Sequence, residues 1–92
     1  MIKRFRHKGL ERLYEDNDKR GLNLEHVEKI ERILARLQHA SQPKHMDLPG
    51  YRLHLLRGKL QGFWSVVVKA NWRIIFRFDN GDVTDVNYID YH

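Results

Sequence analysis

The fold is decided by residues 72–82, which read Trp72-Arg73-Ile74-Ile75-Phe76-Arg77-Phe78-Asp79-Asn80-Gly81-Asp82. Successive side chains of a strand point to opposite faces of its sheet, so every second position here forms a buried face, and Arg73 and Arg77 point the other way. Asn80-Gly81 accepts the positive φ angles of a tight hairpin turn. The stretch therefore predicts a β-hairpin whose second strand, Val83 to Ile89, runs antiparallel to the first.

Two further strands are predicted upstream of this hairpin. One is Tyr51 to Leu56, which follows Pro49-Gly50, and the other is Phe63 to Ala70, which contains three consecutive valines. Ile2 to Phe5 can add a short strand at the start of the chain. The sheet is therefore expected to have about four antiparallel strands.

Two helices are predicted before these strands. Apolar residues at i, i+3 and i+4 indicate a helix over Lys8 to Glu15. A longer helix has Asn23 as its N-cap and ends near His39, because Pro43 cannot continue it. Its apolar stripe is formed by Leu24, Val27, Ile30, Ile33, Leu34 and Leu37. The expected fold class is α+β, a single domain over residues 1–92 with two N-terminal helices packed on a small antiparallel sheet.

Composition excludes several classes of protein. The chain has no cysteine, so it can form neither a disulfide nor a thiolate metal site. No apolar run approaches the roughly 18 residues that a membrane span needs. Met1 to Arg6 has no apolar stretch after its charges, unlike a signal peptide. We therefore expect a cytoplasmic protein with no membrane partner.

Charge is segregated along the chain, whose formal net charge is +5. No acidic residue occurs from Leu48 to Phe78, and that window holds Arg52, Arg57, Lys59, Lys69, Arg73 and Arg77. A second basic group comprises Lys3, Arg4, Arg6 and Lys8. Such segregation favours a polyanion as partner, and nucleic acid is the commonest one.

No two of the six histidines have the close sequence spacing of a metal-binding pair. With no cysteine available, we expect neither a metal nor a cofactor. His26 and His39 are predicted on the surface of the longer helix. His54 lies within a predicted strand, where a histidine is more often structural than catalytic.

His54, Arg73 and the tail Asp90-Tyr91-His92 lie on three predicted strands, which an antiparallel sheet can bring together. Such a set suits RNA cleavage without a metal. One group takes the 2′-hydroxyl proton, an arginine neutralises the charge that grows on the phosphate, and another group protonates the leaving oxygen. The residues alone also allow a frayed polar tail, a structural histidine and a solvated arginine.

Short motifs occur in a fixed order from one end of the chain to the other: Met1-Ile2-Lys3, Phe5, His7-Lys8-Gly9-Leu10, Leu53-His54, Gly58, Trp64-Ser65, Ala70-Asn71-Trp72-Arg73-Ile74, Asn80-Gly81-Asp82, Asn87-Tyr88 and Asp90-Tyr91-His92. Their order and spacing resemble the HigB-type toxins, part of the RelE superfamily of bacterial toxin–antitoxin systems.

The resemblance implies a compact α+β fold of the RelE-like, microbial-RNase type. It implies a ribosome-dependent endoribonuclease that cuts messenger RNA in the A site of the 70S ribosome, beside 16S rRNA, and a HigA-type antitoxin as partner. The family's active-site positions match His54, Arg73, Asp90, Tyr91 and His92. A lysine is usual where this chain has Arg57. Arginine deprotonates far less readily, so Arg57 is expected to bind RNA phosphate, together with Lys59 and Arg77.

Two other functions fit parts of the sequence. ParE-like toxins share the expected fold but inhibit gyrase, and they do not need His54 or the Asp90-Tyr91-His92 tail. A non-catalytic RNA-binding module would explain the basic charge and leave the tail unexplained. The endoribonuclease is therefore the leading hypothesis.

Overall fold

A computed structural model describes all residues 1–92 and contains two α-helices and a four-stranded sheet. The elements follow one another as α1 (Lys8–Asp16), α2 (Leu24–His39), β1 (His54–Leu55), β2 (Trp64–Lys69), β3 (Trp72–Asp79) and β4 (Asp82–Asp90). The strands lie in the order β1-β2-β3-β4, and every neighbouring pair is antiparallel. Neither helix is long and apolar enough to cross a membrane. The expected α+β architecture is confirmed.

The helices begin and end where the sequence places them. The Asn23 side chain accepts a hydrogen bond from the Glu25 amide at 2.9 Å, which confirms it as the N-cap of α2. His7 caps α1 in the same way, since its Nδ1 accepts from the Leu10 amide at 3.3 Å. The Tyr14 hydroxyl then donates to the Gln38 side chain and ties the two helices together.

The sheet has two unlike faces. One packs against the helices in a core that includes Ile30, Leu37, Ile74 and Phe76, all fully buried. The other face carries a small separate cluster, formed by Leu56, Phe63 and Ile75 with Leu60, Ile89 and Tyr91 at its edge. We call this second side the open face. Arg73 and Arg77 alternate with the core residues of β3 and lie on the open face, as predicted.

A β-bulge in β4 sets which of its side chains reach the core. Ile75 is opposite Asn87, whereas Arg77 is opposite Thr84, so β4 contains one extra residue at this point. Asp85 there has a φ of 54°, in the left-handed region. Because the extra residue reverses the alternation, Val83 and Val86 are both fully buried.

The first predicted strand, Ile2 to Phe5, is present only as two isolated bridges. Ile2 and Phe5 pair in parallel with Val83 and Val86 of β4. The Lys3 amide donates to the Val83 carbonyl at 2.8 Å, and the Arg6 amide donates to the Val86 carbonyl at 2.8 Å. The N-terminal segment is thereby fixed along the outer edge of β4.

Three sequence predictions about these elements are wrong in part. The strand expected over Tyr51 to Leu56 is reduced to β1, because Arg52 takes a φ of 50° that interrupts the extended chain. Leu24 is exposed, because it opens α2 and the buried stripe begins with the following turn. His26, expected on the helix surface, is buried.

Burial of His26 depends on contacts that are distant in sequence. Its Nδ1 lies 2.6 Å from the Tyr88 hydroxyl, and the Trp72 ring stacks on Tyr88 with centroids 4.7 Å apart. Burial raises the pKa of the Tyr88 hydroxyl, which therefore stays protonated beside the His26 ring nitrogen. The pair joins the start of α2 to the sheet.

Candidate active site

A shallow cavity of about 300 Å³ lies on the open face and is lined by Arg52, His54, Arg73 and Tyr91. His54 comes from β1 at the sheet edge, Arg73 from β3, and Tyr91 directly follows β4. Three of the five residues predicted to be catalytic therefore line one cleft. Arg52 adds a second guanidinium group to the lining, and its backbone has a φ of 50°.

Ser65 on β2 links the two sides of this cleft. It is the register partner of His54, and its hydroxyl accepts a hydrogen bond from Nη1 of Arg73 at 3.2 Å. Ser65 is fully buried, so its position is fixed by the packing of β2 between its neighbours. This hydrogen bond holds one arm of the Arg73 guanidinium against the sheet.

The Arg73 guanidinium has further N–H donors besides the one bonded to Ser65. Its Nε is buried and has no hydrogen-bond partner. A buried donor without a partner costs about 1–3 kcal/mol. The guanidinium carbon lies 5.3 Å from the centre of the Tyr91 ring, a cation–π contact that restrains the side chain further.

The tail after β4 is held against the sheet. The Tyr91 amide donates to the Asn71 carbonyl at 2.8 Å, and the Tyr91 ring packs on the cluster of the open face. These contacts argue against a frayed tail. They also fix the ring that supports Arg73.

Asp90 and His92 do not line the cavity, although both were predicted to join it. Side chains alternate along β4, and Asp90 lies on the opposite side from Ile89 and Tyr91. His92 Nε2 is 3.3 Å from a carboxylate oxygen of Asp90, and its Nδ1 is 3.3 Å from the side-chain nitrogen of Asn71. Asn71 and Asp90 thus hold the two ring nitrogens of His92 from different sides. The two residues form an exposed pair at the rim.

The three predicted phosphate-binding residues also lie outside the cleft. Arg57 and Lys59 are exposed on the loop between β1 and β2, and Arg57 lines a separate cavity of about 490 Å³ with Gly58 and Gln61. Arg77 is exposed on the open face, with its guanidinium carbon 5.5 Å from the Phe63 ring centre. Together they extend a positive surface away from the cavity.

Sequence reasoning gave no role to Ser65, Asn71 or Arg52. Asn71 occupies the turn between β2 and β3 and contacts the tail through both its carbonyl and its side chain. Ala70 before it has a φ of 52°, which belongs to the tight turn, and the sequence signal for Asn71 was its place in the motif Ala70-Asn71-Trp72-Arg73-Ile74. The role of Ser65 depends on the register of β1 and β2, which no local pattern specifies.

Comparison with known proteins decides the family. The model of the HigB-like toxins, described as the RelE-like toxin of the type II toxin–antitoxin system HigB, matches residues 3–92. Endoribonuclease HigB of Proteus vulgaris is 42% identical over 92 residues, which cover all of both chains. Toxin HigB-1 of Vibrio cholerae serotype O1 is 32% identical over 94 residues, covering all of this chain and 98% of the relative.

The chain belongs to the HigB-like toxin family. This confirms the family resemblance seen in the motifs of the sequence. The matched range contains every residue of the cleft and the Asp90–His92 pair at its rim.

A solved structure supports the RelE-like fold independently. One chain of the YoeB–YefM complex from Staphylococcus aureus superposes with a TM-score of 0.63 over all of this chain and 95% of its own length. The two sequences are 15% identical, so the likeness concerns the fold alone. The fold expected for a HigB-like toxin is therefore the one observed.

Proposed function

We propose that this HigB-like toxin is an endoribonuclease that cleaves messenger RNA in the ribosomal A site and thereby stops translation. The observation that carries the proposal is the cleft itself, which an exposed imidazole, His54, and a restrained guanidinium, Arg73, line together. The Proteus vulgaris relative, whose whole length aligns with this chain, bears the name endoribonuclease. Substrate contact therefore centres on a phosphate beside Arg73.

The reaction uses the RNA as its own nucleophile. A base removes the proton of the 2′-hydroxyl, the 2′-oxygen bonds to phosphorus, and the bond from phosphorus to the 5′-oxygen breaks. An acid protonates that leaving oxygen, so the products are a 2′,3′-cyclic phosphate and a free 5′-hydroxyl. No metal or external cofactor takes part in this scheme.

Two groups can carry the two protons. His54 lines the cleft, and an imidazole changes its protonation state near neutral pH. His92 stands at the rim, where its Nε2 lies 3.3 Å from a carboxylate oxygen of Asp90. His54 carries one of the two proton transfers and His92 the other. The pH dependence of cleavage by the single variants determines which of the two is the acid.

Arg73 neutralises the charge that grows on the phosphate. Its position on β3, its hydrogen bond to Ser65 and its contact with Tyr91 fix the guanidinium before the substrate arrives. Such preorganised charge is a large catalytic term, and loss of one donor commonly costs about 10²–10³ in rate. Tyr91 acts by holding Arg73 through the contact between its ring and the guanidinium.

The shallowness of the cleft supports dependence on the ribosome. A cavity of about 300 Å³ lined by four side chains can hold a phosphate and part of one nucleotide, and it offers little surface to position a strand. The ribosome supplies that positioning in the A site, beside 16S rRNA. Arg57, Lys59 and Arg77 lie where they can contact RNA phosphate outside the cleft, and a HigA-type antitoxin is the partner that restrains the toxin.

The test compares RNA on and off the ribosome. Purified toxin is mixed with 70S ribosomes programmed with a defined message, and with the same message alone, and the 5′ ends of the products are mapped. The proposal expects cuts within the A-site codon on ribosomes and weak or no cutting of free RNA. Equal cutting of both substrates would contradict the proposed dependence on the ribosome. No cutting of either substrate would contradict the proposed endoribonuclease activity.

A further inference from the structure

Three arginines surround one carboxylate at a distance from the cleft. Nε of Arg4 and Nε of Arg6 each lie 3.6 Å from Oδ1 of Asp85, and Nη1 of Arg77 lies 3.9 Å from Oδ2. The Asp85 side chain is 13% exposed, while those of the arginines are 47–71% exposed. The acid therefore lies beneath the three guanidinium groups, which face solvent.

The guanidinium donors are not used within the protein. Hydrogen bonds from N–H to oxygen span about 2.7–3.2 Å, and all three contacts with Asp85 are longer. Oδ1 of Asp85 is buried and accepts no hydrogen bond. Three guanidinium charges over one carboxylate leave a net charge of +2 at this site, with donors free to bind a ligand.

The backbone fixes the positions of these side chains. Asp85 is the left-handed residue of the β4 bulge, which turns its carboxylate out of the strand's normal alternation. The Val86 amide donates to the Arg4 carbonyl at 3.1 Å, and the Arg6 amide donates to the Val86 carbonyl. Arg77 comes from β3, so the N-terminal segment and β3 both place arginines at the bulge of β4.

Phe63 decides what kind of ligand the cluster can take. The guanidinium carbons of Arg6 and Arg77 lie over its ring, 5.3 and 5.5 Å from the centre. Because the ring is engaged by the protein's own cations, it is not free to stack on a nucleobase. Recognition at this cluster is therefore through charge and N–H donors, which read phosphate and not base identity.

We propose that Arg4, Arg6 and Arg77, held by Asp85, form a second RNA-binding site that takes backbone phosphates of the strand outside the cleft. Arg77 and Arg73 share the open face and are four residues apart on β3, or about 13 Å at 3.3 Å per residue. A strand whose scissile phosphate lies at Arg73 can therefore continue across Phe63 to this cluster. The inference rests on the proposed function in taking RNA as the partner.

The experiment measures RNA binding by a variant that cannot cleave. Two proteins are compared, His54→Ala alone and His54→Ala with Arg6→Gln and Arg77→Gln. Each is titrated onto fluorescein-labelled RNAs of about 12 nucleotides, one rich in uracil and one rich in adenine, at salt concentrations from about 50 to about 200 mM. The control replaces Arg12 and Arg36, two exposed helix arginines, in the same background. The two double substitutions remove the same amount of positive charge, so they differ only in where on the protein surface that charge is lost.

The site predicts a loss of affinity of about tenfold for the Arg6/Arg77 pair at the lowest salt, with the slope of log affinity against log salt reduced by about 1.4, or 0.7 per lost phosphate contact. Both RNAs should lose the same factor, and the Arg12/Arg36 control should keep its slope. An unchanged slope for the Arg6/Arg77 pair, or a loss that differs between the two RNAs, would overturn the proposal. Binding of a glutamate-rich peptide as tight as that of RNA would assign the cluster to a protein partner and contradict it.

Two further measurements separate this result from folding and from catalysis. Arg4→Gln, at the most exposed of the three arginines, should lower the salt slope while its melting temperature stays that of the parent protein. Cleavage on ribosomes by the wild-type toxin is measured in parallel. Cleavage with no slope change would refute this site alone, whereas a slope change without cleavage would refute the proposed function alone.

Discussion

Nη1 of Arg73 donates a hydrogen bond to Oγ of Ser65 at 3.2 Å, across the junction of β3 and β2. Ser65 is also the register partner of His54, so one buried hydroxyl lies between the imidazole and the guanidinium of the cleft. Geometry in the cleft thus depends on the pairing of three strands. A side chain that contacts no substrate can therefore change the rate.

Ser65→Ala is expected to lower the single-turnover cleavage rate about tenfold, because a hydrogen bond to a charged group is worth about 1.5–3 kcal/mol. As a positioning effect, the loss should appear in kcat and leave KM for programmed ribosomes unchanged. Thr84→Ala, on β4 away from the cleft, is the control and should cleave like wild type. A Ser65→Ala toxin with wild-type kcat would show that Arg73 needs no support from β2.

His92→Ala is expected to lower cleavage by about 10²–10⁴, the usual effect of losing a general acid or base. Its melting temperature should stay within a degree or two of wild type, since the His92 side chain is 74% exposed. His39→Ala removes an exposed histidine at the end of α2 and should change neither quantity. Full toxicity of the His92→Ala protein would contradict a catalytic role for His92.

Tyr88→Phe is expected to destabilise the fold by about 1–3 kcal/mol, because it leaves the buried His26 ring nitrogen without its partner. Tyr51→Phe makes the same change where the hydroxyl has no hydrogen bond, and should stay within about 0.5 kcal/mol. Denaturant unfolding of both variants measures the difference. Equal stability of the two would mean that the contact between His26 and Tyr88 contributes nothing to folding.

Stability should fall with pH below neutrality, in part through His7. Burial, with the Arg12 charge second, lowers the pKa of this imidazole from its usual 6.5. The unfolded chain therefore binds the proton more readily, so the stability from neutral His7 is present above pH 6.5 and is lost as the pH falls below it. His7→Asn keeps an N-cap without a titrating ring. Its unfolding free energy should drop less than that of wild type between pH 7.5 and 5.5, and an equal drop would contradict this role.

The hairpin and both helices could be predicted because their signals are local. Alternation from Trp72 to Phe78, the Asn80-Gly81 turn and the Asn23 cap each specify structure from residues a few positions apart. His26 could not be placed this way, since its burial depends on Tyr88 at the far end of the chain. The bulge at Asp85 was missed for a similar reason, because only pairing with β3 reveals the extra residue.

The sequence predicted most residues of the candidate site, but it predicted their arrangement in space less well. Strand alternation placed Arg73 on the open face, the predicted strands placed His54 and the tail beside it, and the family resemblance matched all of them to active-site positions. Ser65 and Asn71 were missed, because their contacts depend on register and on a turn. The separation of Asp90 and His92 from the cavity follows from alternation beyond β4, which the motif by itself does not show.

Arg73 is the group proposed to meet the scissile phosphate. The decisive measurement is single-turnover cleavage of message on programmed ribosomes by Arg73→Ala and Arg73→Lys, beside a thermal melt of each protein. We expect Arg73→Ala to lose a factor of about 10² or more in rate, and Arg73→Lys to be substantially impaired because lysine lacks the planar fork. Both should keep the fold. Cleavage by Arg73→Ala at close to the wild-type rate would contradict the account and make Arg73 an ordinary surface residue.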